Sequence, residues 1–108
     1  MTSTVEFGDV YVCMFPFTSG QAAKARPVLV LIDLGPDCLV CRITSAPHRG
    51  VLDLPVTHWQ EAGLEKPSTI RLARLVTVEK PLLRLHIRKL AHEDLDRVTA
   101  LWNEKFRL

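Results

Sequence analysis

Apolar residues come in short runs along most of this chain, and Gly, Pro and Asp cut the runs apart. That pattern predicts strands rather than long helices. Val28-Leu29-Val30-Leu31-Ile32, bounded by Pro27 and by Asp33 with Gly35-Pro36, predicts a strand buried on both faces. An earlier strand is expected over residues 9–15, with Val10, Val12 and Met14 on one face and Tyr11, Cys13 and Phe15 on the other. Pro16 ends it, and residues 17–25 read as a long polar hairpin loop. The second strand spans residues 26–33, Gly35-Pro36-Asp37 turns the chain, and the third strand spans residues 38–44. Residues 45–50 form an exposed loop, and 51–54 alternate enough for a short fourth strand.

Residues 58–64 predict a single helical turn closed by Gly63. Residues 68–78 alternate around Ile70, Leu72, Leu75 and Val78 as a longer, bent strand. Pro81 interrupts, and residues 84–90 give a last strand with Leu85, Ile87 and Lys89 opposing Arg84, His86 and Arg88. From His92 the period becomes helical: Leu95, Val98, Leu101 and Trp102 share a face. Glu93, Asp94 and Asp96 suit the positive end of that helix and Lys105 and Arg107 its negative end, while Ala91 is a poor N-cap. Short strands followed by one amphipathic helix imply a mainly β fold, a small curled antiparallel sheet with the helix lying on it. With no repeat or low-complexity tract, residues 1–108 read as one domain.

Composition narrows the function. At 47% hydrophobic and 24% charged, the chain is globular rather than disordered. No apolar run approaches the roughly 20 residues that span a bilayer. The polar start has no secretory pattern, so the expected compartment is the cytoplasm. A net charge of +2 and a pI near 8.6 permit a short nucleic acid in a local basic patch without demanding one. Three cysteines are an odd number, and Cys38 and Cys41, three apart on a strand, point to opposite faces. No metal site or cofactor is expected from them; they suit small core positions.

The chemistry gathers around two strand ends. Arg26-Pro27 opens the buried run, Ile43-Thr44-Ser45 closes the next, and Gly8-Asp9-Val10 precedes both. Glu61-Ala62-Gly63-Leu64, Lys66-Pro67-Ser68 and a final strand and helix reaching Leu101-Trp102 follow. In this order the pieces resemble the PemK/MazF toxins, small bacterial endoribonucleases of toxin–antitoxin pairs. The resemblance implies an SH3-like barrel that forms a homodimer. It also implies sequence-selective, metal-independent cleavage of single-stranded RNA, with mRNA as the target, to 2′,3′-cyclic phosphate and 5′-hydroxyl ends. An acidic antitoxin segment is expected to block the RNA groove.

RNA can be cut without metal because its own 2′-hydroxyl is a neighbouring nucleophile, so a site must orient it, move protons and stabilise charge on phosphorus. Arg26 suits the last task, since its guanidinium stays charged and its donors match phosphate oxygens; the alternative is a surface ion pair with Asp9. Thr44 suits a hydrogen bond at the phosphate, against an ordinary strand-end threonine, and Ser45 is placed to assist. The resemblance carries the family's Arg and Thr onto Arg26 and Thr44. Some members add an Arg-x-Asp pair; here Arg71-Leu72-Ala73 keeps the arginine as an RNA ligand and lacks the acid. His48, four residues past Thr44, is the candidate to replace it as acid or base. Phe17 and Lys24 in the first loop are candidates to stack a base and steer RNA, against a plain hairpin connector.

Two rival functions remain. A gyrase poison similar to CcdB would act through the apolar end of the last helix, and this chain ends Trp102-Asn103-Glu104-Lys105-Phe106-Arg107-Leu108. A catalytically weakened relative would bind RNA or antitoxin without cutting, as Ala73 suggests.

Overall fold

Every strand in the computed structural model runs antiparallel to its neighbours, and residues 4–15 and 24–108 are described. The elements are β1 (Asp9–Phe15), β2 (Lys24–Asp33), β3 (Asp37–Thr44), β4 (Asp53–Pro55), β5 (Thr69–Glu79), a 3-10 turn (Lys80–Leu82), β6 (Leu83–Lys89) and α1 (His92–Lys105). The spatial order of the strands is β4-β5-β3-β2-β1-β6. The mainly β antiparallel fold with a C-terminal helix is as expected. Among the described residues no ladder joins edge strands β4 and β6, so the sheet is not closed.

The continuous apolar run of β2 follows from burial on both faces. Leu29 and Leu31 join Val10, Ile43, Ile70 and Val98 in the core beneath α1. Val28 and Val30 point the other way, into a second core with Tyr11, Cys13, Cys38 and Val40. Each such side chain contributes about 1.5–3 kcal/mol of transfer free energy, so neither face tolerates a polar residue here. Cys41 and Cys38 fall in opposite cores as their spacing requires. Burial pushes the Cys13 and Cys38 thiols up to about 11 and Cys41 to about 12, which makes them inert packing groups. The described residues hold no group of three His, Cys, Asp or Glu side chains placed to bind a metal ion, and contain no helix long and apolar enough to cross a membrane.

Register shifts interrupt three of the ladders, and in β2–β3 the shift falls between Val30 and Ile32, away from the Val28–Arg42 pair. On β5, Leu75 pairs with Cys41 but Arg71 pairs with Arg42, so residues 72–74 bulge out of the ladder. Before the bulge, residues 69–71 of β5 pair with β3 on one side and with β4 on the other, and the Leu72 amide donates to the Leu52 carbonyl at 2.9 Å. Against β1, β6 slips register twice. Its expected apolar face is broken in consequence, and Leu85 is 60% exposed.

The helix is anchored by a residue whose sequence position suggested only a surface dipole partner. Ala91 makes no side-chain cap. Asp94, in the first turn, is fully buried. It accepts hydrogen bonds from the Thr57 amide at 3.0 Å, the His58 amide at 2.8 Å and Arg97 Nη1 at 2.8 Å. Arg97 Nη1 also donates to the Pro55 carbonyl and to Thr57 Oγ1. Burial pushes the Asp94 carboxyl up, but the two amides and Arg97 outweigh it and hold it below the ordinary carboxylate value. Asp94→Ala leaves two amides without their acceptor and is expected to cost about 3 kcal/mol in chemical denaturation. Because the folded-state pKa is depressed, this stabilisation is present above the unfolded-state value and fades as pH falls through the folded one. Asp94→Asn is therefore expected to flatten the acid limb of the stability profile, and an unchanged limb would contradict the assignment.

Candidate active site

A hairpin between antiparallel strands brings the start of one beside the end of the other. Val28 of β2 pairs with Arg42 of β3. Continuing that register by two residues sets Arg26 opposite Thr44, and steps of two keep Arg26, Val28, Arg42 and Thr44 on one face. The apolar run that buries β2 thus delivers its first guanidinium beside a hydroxyl at a rigid strand end. On the flanks, Arg26 pairs with Cys13 of β1 and Thr44 with Thr69 of β5.

These strand ends border a cleft of about 350 Å³, lined by Arg26, Arg42, Thr44, Ser45, Lys66 and Ser68 over an apolar floor that includes Val12 and Ile87. Three cations face one carboxylate, Glu65, so the cleft is positive. The opposite wall is the turn over residues 57–63. The Leu64 amide donates to the Trp59 carbonyl at 3.0 Å and the Gly63 amide to the Gln60 carbonyl at 3.0 Å, the bond pair of a Schellman closure. Gly63 supplies the left-handed conformation this closure needs, with φ of 80°. Beyond it, Ser68 Oγ donates to the Lys66 carbonyl at 2.8 Å and fixes the strap that carries Lys66.

Hydrogen bonding defines what the cleft offers. Thr44 Oγ1 accepts from the Ala46 amide at 3.1 Å, which occupies a lone pair and leaves the hydroxyl hydrogen to be donated. Arg26 Nε and Arg42 Nε are both buried without a hydrogen-bond partner among the described residues. The ion pair of Arg26 with Asp9 is absent. Asp9 accepts from the Glu6 amide at 2.9 Å and lies 3.3 Å from His86 Nε2. It is also four residues along β1 from Cys13, the partner of Arg26, or about 13 Å away. A buried, unpaired guanidinium donor costs about 1–3 kcal/mol, and an anion with several acceptor oxygens would remove that cost.

The remaining candidates are placed elsewhere. Arg71 lies outside the cleft lining, and its Nε donates to Asp53 Oδ1 at 3.0 Å. Asp53 also accepts from the Gly50 amide at 2.7 Å, and its side chain is 4% exposed. Burial pushes the Asp53 carboxyl up, but the Arg71 and Gly50 bonds hold it below its ordinary value. The carboxylate that pairs with Arg71 thus comes from β4, across the pair Asp53↔Arg71. His48 does not line the cleft. Lys24 is exposed at the start of β2, two residues before Arg26, and also lies outside the lining. Phe17 falls outside the described residues. Arg42 was missed as a site residue; the signal was its step of two before Thr44.

The sequence profile of the PemK-like, MazF-like toxins of type II toxin–antitoxin systems matches residues 6–104. The chain belongs to that family of toxins. No individually curated protein matched this toxin. Among solved structures, it is similar to the Mycobacterium tuberculosis toxin MazF-mt6 at 20% identity and a TM-score of 0.74, over 91% of this chain and 95% of that one. It is also similar to an endoribonuclease in complex with its cognate antitoxin from a mycobacterial species, at 13% identity and 0.74, over 95% of each chain. MazF from Deinococcus radiodurans follows at 14% identity and 0.71, over 97% and 98%. At these identities the likeness is one of fold.

The wall of the cleft gives a test of its own. A Cβ at Gly63 would meet Ile87 Cγ2 at 2.5 Å and Arg88 Cγ at 3.2 Å, in a backbone conformation that side chains rarely adopt. Gly63→Ala is expected to cost about 1–3 kcal/mol of stability, more than an exposed glycine replacement. Gly35, with φ of 95° and open space around it, is the control that isolates the conformational part. Equal costs at both positions in thermal unfolding would show that Gly63 does not pack the turn against β6.

Proposed function

We propose that this toxin is a sequence-selective, metal-independent endoribonuclease acting on single-stranded RNA, with cytoplasmic mRNA as its target. The observation that carries this reading is the buried Arg26 Nε, without a partner among the described residues, set across the ladder from Thr44 in a positive cleft. The 2′-oxygen attacks the adjacent phosphorus and loses its proton, the bond to the 5′-oxygen breaks, and that oxygen gains a proton. A 2′,3′-cyclic phosphate and a 5′-hydroxyl end result. Arg26 binds the non-bridging oxygens as negative charge grows on them, and Thr44 donates to the same group. The contribution of the cleft is electrostatic and positional, and the reading does not rest on His48.

The same cations suit an acidic antitoxin segment that competes with RNA, and one of the similar structures is titled as a complex of an endoribonuclease with its cognate antitoxin. A twofold homodimer would cover part of the exposed apolar surface, such as Ile32 and Leu34. The gyrase-poison alternative is weakened by the helix end itself. Trp102 and Phe106 stack at 4.0 Å and pack against the core beneath α1, so that apolar surface is already used.

Arg26→Ala is expected to lower cleavage by about a hundredfold or more, as the loss of a preorganised charge-stabilising donor does. Arg26→Lys should recover only part, because it keeps the charge without the planar fork. Melting temperature should hold or rise, since the variant removes an unpaired buried donor. A variant that melts lower yet cuts at the wild-type rate would overturn the role of Arg26.

A further inference from the structure

Arg42 has no role in the reading above, yet its environment repeats that of Arg26. Both side chains line the cleft, both Nε atoms are buried without a partner, and neither forms an ion pair among the described residues. The rest of its row is settled. Arg42 pairs across the sheet with Arg71 on β5, and Arg71 pairs with Asp53 on β4. Asp53, at the end of that row, gives its Oδ1 to Arg71 and its Oδ2 to the Gly50 amide. Two guanidinium groups on paired positions repel, and the one carboxylate here is committed to the farther one. What remains is a cation facing the cleft with its donors unused.

We propose that Arg42 is the ligand for the RNA phosphate next to the scissile one, and thereby a positioning residue; the inference rests on the ribonuclease reading. Position decides between the two phosphates. Arg26 and Thr44 face each other across the ladder and serve one phosphate together. Arg42 lies one diagonal step from Arg26, about 7–8 Å, which is the scale of a nucleotide step rather than of the oxygens on one phosphorus. The row also explains why a guanidinium stands where strand-end packing would favour an apolar residue. Its unpaired state in the free protein is discharged when a second phosphate enters. Arg42 then sets the strand's register over the cleft without touching the reacting atoms.

The experiment combines binding and kinetics on the full chain. Binding is measured to an RNA 2′-O-methylated throughout, which cannot be cut, over a range of salt concentrations. Arg42→Gln is expected to lower the slope of log K against log salt by about 0.7, the value of one phosphate contact on a single strand, and Arg42→Lys to restore it. In cleavage, Arg42→Gln should raise KM about tenfold with kcat within about twofold, because the contact is equal in ground and transition states. Replacing the flanking phosphate by a neutral methylphosphonate should weaken wild type and leave Arg42→Gln unaffected. An unchanged salt slope with a lower melting temperature would make Arg42 a structural residue and overturn the proposal. A fall in kcat at constant KM would move it to the scissile phosphate, which also overturns it. Wild type that binds but does not cut would sink the ribonuclease reading while the salt slope still judges Arg42. Wild type that binds no RNA would sink both.

Discussion

Pairing of Val28 with Arg42 fixes, two residues further on, which side chains meet at the open end of the hairpin. Because strand side chains alternate, a slip of one residue would turn Arg26 or Thr44 to the opposite face and separate them. The register is held by burial on both sides of β2. Leu29 and Leu31 fit only the core under α1, and Val28 and Val30 only the second core. A strand packed on both faces has no tolerance for slippage, so the hydrophobic pattern of β2 determines the geometry of polar groups at its end. Packing and site chemistry are one constraint here.

Charge is distributed with the same economy. Cations away from the cleft are neutralised locally, among them Arg71 by Asp53, Arg97 by Asp94, Lys80 by Asp33 and Lys89 by Glu6. Two of these carboxylates are almost wholly buried, and each ties distant segments: Asp53 joins β4 to β5 through Arg71, and Asp94 joins α1 to the turn before Gly63 through the Thr57 and His58 amides. Among the described residues Arg26 and Arg42 receive no such partner, although a modest net charge of +2 leaves acids elsewhere on the chain. Unneutralised guanidinium groups at a rigid sheet end raise the local potential and meet an anion without reorganisation. That contrast separates the cleft from the rest of a mildly basic surface.

Much of the frame was legible in the sequence. The limits of β1 were read to the residue, and the single turn closed by Gly63 and the helix from His92 were read from turn and period signals. Arg26 and Thr44 stood out because each borders a run of fixed length. Three features were not legible because they depend on pairs distant in sequence. Asp94 looked like a helix-dipole residue, and only the fold brings the Thr57 and His58 amides to it. The bulge over residues 72–74 has no signature in the sequence pattern, and the carboxylate that holds Arg71 comes from Asp53, eighteen positions earlier. Arg42 was hidden inside an apolar strand, where its step from Thr44 was the sole clue.

The central claim is that an electrostatic cleft, with the RNA's own 2′-hydroxyl as nucleophile, suffices for cleavage. Its most direct test is the identity of the ends formed when metal-stripped wild-type toxin digests RNA in excess EDTA, read by phosphorus NMR of the products. The account predicts cleavage that persists, with a 2′,3′-cyclic phosphate on one side of the cut and a 5′-hydroxyl on the other. Cleavage that stops in EDTA, or products that carry a 5′-phosphate and a 3′-hydroxyl, would contradict it.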